Sequence, residues 1–193
     1  MTDLGSSLGF VRQWLRSPRQ TAAVVPSSRR LAQAMVSALP ETVSKVVELG
    51  PGTGPVTRAL VTRFPDPGSV VAVEINPAFA ASLRRHFPSV LVSEGDARDL
   101  PSRLREVAPA GWSPDAVVSS LGFLAMPSGV VREILRSAFS SMGQDGVLVQ
   151  FTYGAKVPVS GEILADLGLE SSRAGLVLRN APPATVHVIR RTP

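Results

Sequence analysis

At 193 residues and 44% hydrophobic content, the chain is long enough to bury one good core and too apolar to stay unfolded. It has no cysteine and only two histidines, His86 and His187, which excludes disulfides and thiolate metal sites and argues against any histidine-built metal centre or triad. The net charge of +5 rests on 18 Arg and 2 Lys, and residues 1–40 hold five arginines against Asp3 as their only acid, so the anion-facing end is the N-terminus.

Apolar periodicity predicts a helix from about Leu4 to Ser17, ended by Pro18, and a second from Ser27 or Ser28 to about Leu39. Strands and helices then alternate. "KVVEL" reads as a strand, and "PVTRALVTRF" as a helix with Pro55 at its first position. "SVVAVE" is a strand, and "NPAFAASLRRHF" a helix capped by Asn76. "SVLVSE" is followed by the helical "LPSRLREVA", "PDAVVSS" by "SGVVREILRSAFSSM", and "DGVLVQFTY" is the fifth strand. Helical crossovers between strands imply a mostly parallel, doubly wound α/β sheet. "AGLVLRNAPPATVHVIRR" reads as two strands turning at Ala181-Pro182-Pro183, an antiparallel finish to the sheet. The organisation expected is an N-terminal helical extension over 1–40 and one sheet domain over 41–193. No apolar run reaches the roughly 20 residues of a membrane span, and the N-terminus lacks a signal-peptide core, so a cytoplasmic protein is expected.

The most informative stretch is "VVELGPGTG". Gly50, Gly52 and Gly54 fall where the first strand should turn into a helix, the place where open α/β sheets bind ligands. The spacing is G-x-G-x-G rather than the dinucleotide G-x-G-x-x-G, and Pro51 removes one N–H. Glu48 just before the loop would repel a pyrophosphate and suits a ligand with positive charge. S-adenosylmethionine carries a sulfonium and an ammonium and no phosphate. Two more acids fit that ligand. Glu74 ends the second strand, where a carboxylate can accept from both ribose hydroxyls. Asp96, in "EGDARDL" after the third, can accept from an adenine amino group with Ala97 beside it. Phe79 or the wall around Ile75 can pack on the base. Ser28 opens a helix whose N-terminus can receive the donor's carboxylate or a lipid phosphate.

"VVELGPGTG", "VVAVEINPAF", "EGDARDL" and "PDAVVSSLGF" together resemble the class I S-adenosylmethionine-dependent methyltransferases over about residues 44–153. That resemblance implies a Rossmann-like, seven-stranded, mostly parallel sheet with an antiparallel last strand, and S-adenosylhomocysteine as product. A narrower resemblance, in "VVPSSRRLAQAM", "LAMP", "QFTYG" and "APPATVHVIRR", is to the bacterial phospholipid N-methyltransferases. It implies N-methylation of phosphatidylethanolamine toward phosphatidylcholine by a small enzyme, expected to be monomeric, peripheral on the cytoplasmic membrane. The first three motifs are also similar to the ribosomal RNA adenine dimethyltransferases. Those carry an Asn-Leu-Pro-Tyr-like motif after the fourth strand, whereas this chain has Ser119-Ser120-Leu121-Gly122-Phe123, and no nucleic-acid partner is expected. A donor-binding protein that remodels membranes without turnover is the third class.

Two further groups of residues complete the reading. In the first helix Leu4, Leu8, Val11 and Leu15 form an apolar stripe widened by Phe10 and Trp14 and bordered by Arg12 and Arg16, a pattern suited to anionic membrane as well as to packing on the domain. On the acceptor side, Tyr153 at the end of the fifth strand can hold an ammonium with its ring or an amine with its hydroxyl. Ser119 and Ser120 line the expected acceptor site, and Arg179 and Asn180 near the last turn can meet a lipid phosphate.

Overall fold

The structure is a computed structural model and describes residues 28–180 and 182–193. The predicted helix at Leu4–Ser17, with Leu8, Arg12, Trp14, Leu15 and Arg16, lies outside the described residues.

The first described helix, α1 (Arg29–Ser37), is capped by Ser28, whose hydroxyl accepts from the Leu31 amide at 3.2 Å. The alternation that follows is β1 (Val46–Leu49), α2 (Pro55–Arg63), β2 (Val70–Glu74), α3 (Pro77–His86), β3 (Leu91–Glu94), α4 (Leu100–Val107), β4 (Ala116–Ser119), α5 (Ser128–Ser140) and β5 (Val147–Tyr153). Short 3-10 turns at Ala97–Asp99 and Phe123–Ala125 precede α4 and α5. A short α6 (Gly161–Asp166) then leads to β6 (Leu169–Val177) and β7 (Ala184–Arg191).

The seven strands lie in the order β3-β2-β1-β4-β5-β7-β6. The first five are parallel, with Leu49 level with both Val73 and Ser119 and with Ser119 level with Gln150. β7 runs antiparallel between β5 and β6, which leaves β6 at the edge. The expected antiparallel finish is therefore present, and the final strand of the chain is an inner one.

Helices cover both faces, so β1, β2 and β4 are buried throughout and read as near-continuous apolar runs. Alternation splits each strand between two core clusters. Val46, Val70 and Ala72 meet Leu31, Met35, Leu60 and Leu83 from α1 to α3. Val47, Leu49, Val71 and Val73 meet Leu100, Leu135 and Phe139 from α4 and α5. Arg63 at the end of α2 donates to the carbonyls of Val36 (2.6 Å) and Pro40 (2.7 Å), satisfying the open end of α1 and tying it to α2. Among the described residues no helix is long and apolar enough to cross a membrane.

Candidate active site

The strand order reverses at β1, because the chain leaves it toward β2 and β3 and returns on its other side as β4 and β5. A crevice at the carboxyl ends of β1 and β4 follows from that topology. The glycine loop lies there. Gly50, Gly52 and Gly54 have φ of 67°, 56° and 86°, in the left-handed region that side chains disfavour. Their surroundings differ. A Cβ on Gly50 would come within 2.4 Å of the Leu121 side chain, and one on Gly54 within 2.7 Å of the Phe87 ring, whereas one on Gly52 would meet nothing within 4 Å. The outer two glycines let the loop close against the protein, and the middle one leaves backbone open. α2 starts directly behind, with Pro55 in its first turn and no side-chain cap from Gly54, while the first-turn amide of Thr57 is directed at the Glu48 carboxyl.

Gly54→Ala should therefore destabilise the fold by about 2–4 kcal/mol, from the left-handed backbone and the buried Phe87 contact together. Gly52→Ala should lose only about 1–2 kcal/mol, the backbone part. Urea denaturation of both variants checks this ordering, and equal losses would contradict it.

Glu48 is fully buried on the face of β1 that looks toward α2. The Thr57 hydroxyl donates to Glu48 Oε2 at 2.6 Å, while Oε1 is buried without a partner. Burial, with a smaller contribution from the Glu74 charge, pushes the Glu48 carboxyl up from 4.5 to about 8 against the opposing Thr57 hydrogen bond. The acid chosen from the sequence as a ready negative charge is thus a carboxyl held largely neutral in the free protein.

Glu74 does what a strand-end acid can do for a loop. Its Oε2 accepts from the Gly52 amide and its Oε1 from the Asn76 amide, each at 2.9 Å. It couples the open glycine to the start of α3, where Asn76 caps the helix through the amides of Ala78 and Phe79. Burial raises the Glu74 carboxyl, partly offset by these amides. The Ile75 amide adds to them, so three backbone N–H groups act on this carboxylate. Ile75 and Phe79 flank it, both half-buried.

Asp96 follows β3 as expected, but its carboxylate is occupied. Oδ1 accepts from the Arg98 amide at 2.9 Å, and Oδ2 takes both the Nε (3.0 Å) and Nη2 (2.7 Å) of the Arg98 side chain. Arg98 also reaches Glu133 on α5 at 3.3 Å. Asp96 therefore organises the turn containing Ala97, and its own polar capacity is shared with Arg98.

At the end of β4, Ser119 is fully buried and its hydroxyl accepts from the Leu121 amide at 3.4 Å. Its side chain lies inside the protein. The Ser120 hydroxyl is buried without a partner, and its amide extends the sheet to Leu49 O at 2.9 Å. Gln150 on β5 was not singled out in the sequence. It is fully buried and donates to Leu121 O (2.8 Å) and Phe151 O (2.9 Å), tying the loop after β4 to β5.

β5 runs beyond the end of β4 to Tyr153, paired there with Ala184 of β7. The Tyr153 ring is half-buried and lies edge-on to Phe151, with centroids 5.3 Å apart, and burial raises its hydroxyl's pKa. Asn180 is buried and donates to Pro182 O at 2.6 Å, which closes the β6–β7 turn. Arg179 beside it is exposed.

Of the six side-chain polar atoms buried without a partner among the described residues, Glu48 Oε1, Ser120 Oγ and Gln150 Oε1 belong to this end of β1, β4 and β5. Buried polar atoms are rarely left so. Together with the open Gly52 backbone they fit a polar ligand.

This sheet order, with a glycine loop after β1 and an acid closing β2 onto it, defines a class I S-adenosylmethionine-dependent methyltransferase fold. The chain belongs to the methyltransferase domain family, whose model matches residues 46–146. It is 32% identical over 147 residues, 74% of this chain and 76% of the relative, to an ornithine lipid N-methyltransferase of Singulisphaera acidiphila. Among solved structures it is similar to a TehB-like S-adenosylmethionine-dependent methyltransferase of Corynebacterium glutamicum (TM-score 0.58, 16% identity, covering 97% of this chain and 98% of the other). It also resembles the S-adenosylmethionine-bound amino pentose methyltransferase CalS10 of Micromonospora echinaspora (TM-score 0.56, 17% identity, all of both chains). The cofactor is S-adenosylmethionine, and S-adenosylhomocysteine is its product.

Proposed function

We propose that this protein transfers methyl groups to the amine of a membrane lipid, with phosphatidylethanolamine as the acceptor. The observation that carries the lipid is the 32% identity to an N-methyltransferase whose named substrate is a lipid. The headgroup is taken from the "QFTYG" and "APPATVHVIRR" resemblance. Ornithine lipid is the second reading, favoured by that relative's name.

Bound S-adenosylmethionine supplies a methyl group on a sulfonium. In this reading Glu74 accepts from the ribose hydroxyls with the acceptor capacity that its loop amides leave. The open Gly52 and the uncapped start of α2 receive the amino-acid part of the donor, whose carboxylate suits a helix N-terminus. Alignment is the main demand on the protein, since the donor is already reactive. The acceptor amine has to be neutral, and a dry pocket lowers an ammonium's pKa. Tyr153 brings a half-buried ring and a neutral hydroxyl to this end of β5.

The deciding assay offers labelled donor to vesicles of phosphatidylethanolamine, to vesicles of ornithine lipid and to RNA, with products resolved by methyl count. Label in phosphatidylethanolamine supports the proposal, and label only in ornithine lipid replaces the headgroup. Label only in RNA, or donor binding without any turnover, overturns lipid methylation. Tyr153→Ala should slow lipid turnover by up to about 30-fold, the roughly 2 kcal/mol of a desolvated cation–π contact. Tyr153→Phe should keep most of the rate, because the ring already rests on Phe151. Wild-type turnover by a folded Tyr153→Ala chain removes Tyr153 from the acceptor site.

A further inference from the structure

Four large hydrophobic side chains are exposed among the described residues: Leu124 at 51%, Val157 at 53%, Leu176 at 45% and Leu178 at 69%. They come from three separate parts of the sequence, yet topology puts all of them at one end of the sheet. Leu124 lies in the 3-10 turn after β4 and Val157 in the loop after β5. Leu176 and Leu178 lie at the end of β6, which runs in the same direction as β5 because β7 opposes both. This is the carboxyl end, where the glycine loop opens.

The β5 loop and the β6–β7 turn form one bonded lip. Gly154 N donates to Pro183 O at 2.8 Å, and the Thr185 hydroxyl to Gly154 O at 2.6 Å. The Thr152 hydroxyl donates to Lys156 O at 2.7 Å, holding the loop that presents Val157. Val177 packs into the core cluster under α1, so by strand alternation its neighbour Leu176 turns away from that core.

The charge of the lip matches its apolar tips. Residues 120–127, 154–160 and 176–183 carry Lys156 and Arg179 and no carboxylate. Both cations are exposed, and each stands next to an exposed apolar residue, Lys156 beside Val157 and Arg179 beside Leu178. The acid nearest Lys156 along the chain, Glu162, is paired with Arg132, and the one nearest Arg179, Glu170, with Arg190. Apolar tips that can enter the acyl boundary, interleaved with cations at headgroup level, complement an anionic bilayer.

We infer that this lip, Leu124, Val157, Leu176 and Leu178 with Lys156 and Arg179, is a lipid-docking surface that seats the mouth of the site on an anionic membrane. Its choice of partner rests on the lipid reading given above; its geometry involves none of residues 1–27. Donor binding is expected to be independent of it, since the glycine loop and Glu74 are not part of the lip.

The chain has no cysteine, so a single introduced thiol can be labelled cleanly. Val157→Cys, Leu178→Cys and, as reference, Gln144→Cys in the exposed turn before β5 are made in the full chain and coupled to a polarity-sensitive fluorophore. Vesicles containing phosphatidylglycerol should shift the emission of the first two labels to the blue and leave the third unchanged. The shift should weaken with salt. Leu176→Glu combined with Leu178→Glu should lower vesicle partition by about tenfold or more, from lost apolar insertion, with unchanged donor affinity by calorimetry. No shift at positions 157 and 178, as expected if residues 1–27 cover the lip, overturns the inference. So does an equal shift at all three positions, or a shift that rises with protein concentration alone, which would make the lip a contact between copies. Lipid methylation without a label response overturns the docking surface and leaves the enzyme reading standing. A label response without methylation does the reverse.

Discussion

Replacing Glu74 with Ala is expected to weaken S-adenosylmethionine binding by on the order of 10²-fold or more, read by calorimetry on the folded variant. Its carboxylate already orders both sides of the proposed ribose site, through Gly52 N–H and Asn76 N–H at 2.9 Å each. The substitution removes that ordering and the two ligand hydrogen bonds together, each charge-assisted and worth about 1.5–3 kcal/mol. Glu74→Gln should lose less. A Gln oxygen can still accept one of the two loop amides, but its NH₂ cannot accept the other. Wild-type donor affinity in Glu74→Ala would sink the assignment of the ribose to this acid.

Glu74 was legible in the sequence because its place follows from a pattern. β1, β2 and β4 are buried on both faces, so they read as near-continuous apolar runs, and a charged residue closing such a run stands out. The glycine loop was legible for the same reason: it directly follows such a run. What remained hidden was the partner of each polar side chain. Thr57 sits nine residues from Glu48, and only the docking of α2 on β1 brings its hydroxyl to the carboxylate. Arg98 is two residues from Asp96, and nothing in "EGDARDL" says that it folds back on it. Gln150 lies within an apolar strand, and one of its bonds goes to a loop 29 residues away. The edge of the sheet was read short. β6 begins at Leu169, and its "ESSRA" stretch is polar because an edge strand faces water. α6 was missed because it has six residues and buries only Ile163, too little for a helical period to register.

Glu48 gives the other large expected effect, a stability that depends on pH through one buried group. In the folded protein its carboxyl is raised from 4.5 to about 8, chiefly by desolvation. Between those values the folded state holds a proton that the unfolded chain has released. Stability from this group is therefore complete below about pH 4.5, declines as pH rises, and is lost above about 8. A displacement of that size corresponds to up to about 5 kcal/mol across the window. Glu48→Gln keeps a side-chain oxygen for the Thr57 hydroxyl, which donates at 2.6 Å in the parent, and has nothing to ionise. The variant should match the parent near pH 5 and exceed its stability by several kcal/mol at pH 9. Urea denaturation without donor, at pH 5, 7 and 9, measures the difference directly. A gap between the two chains that stays constant over that range would show that Glu48 ionises freely, and that the depth of its burial under α2 has no bearing on its charge.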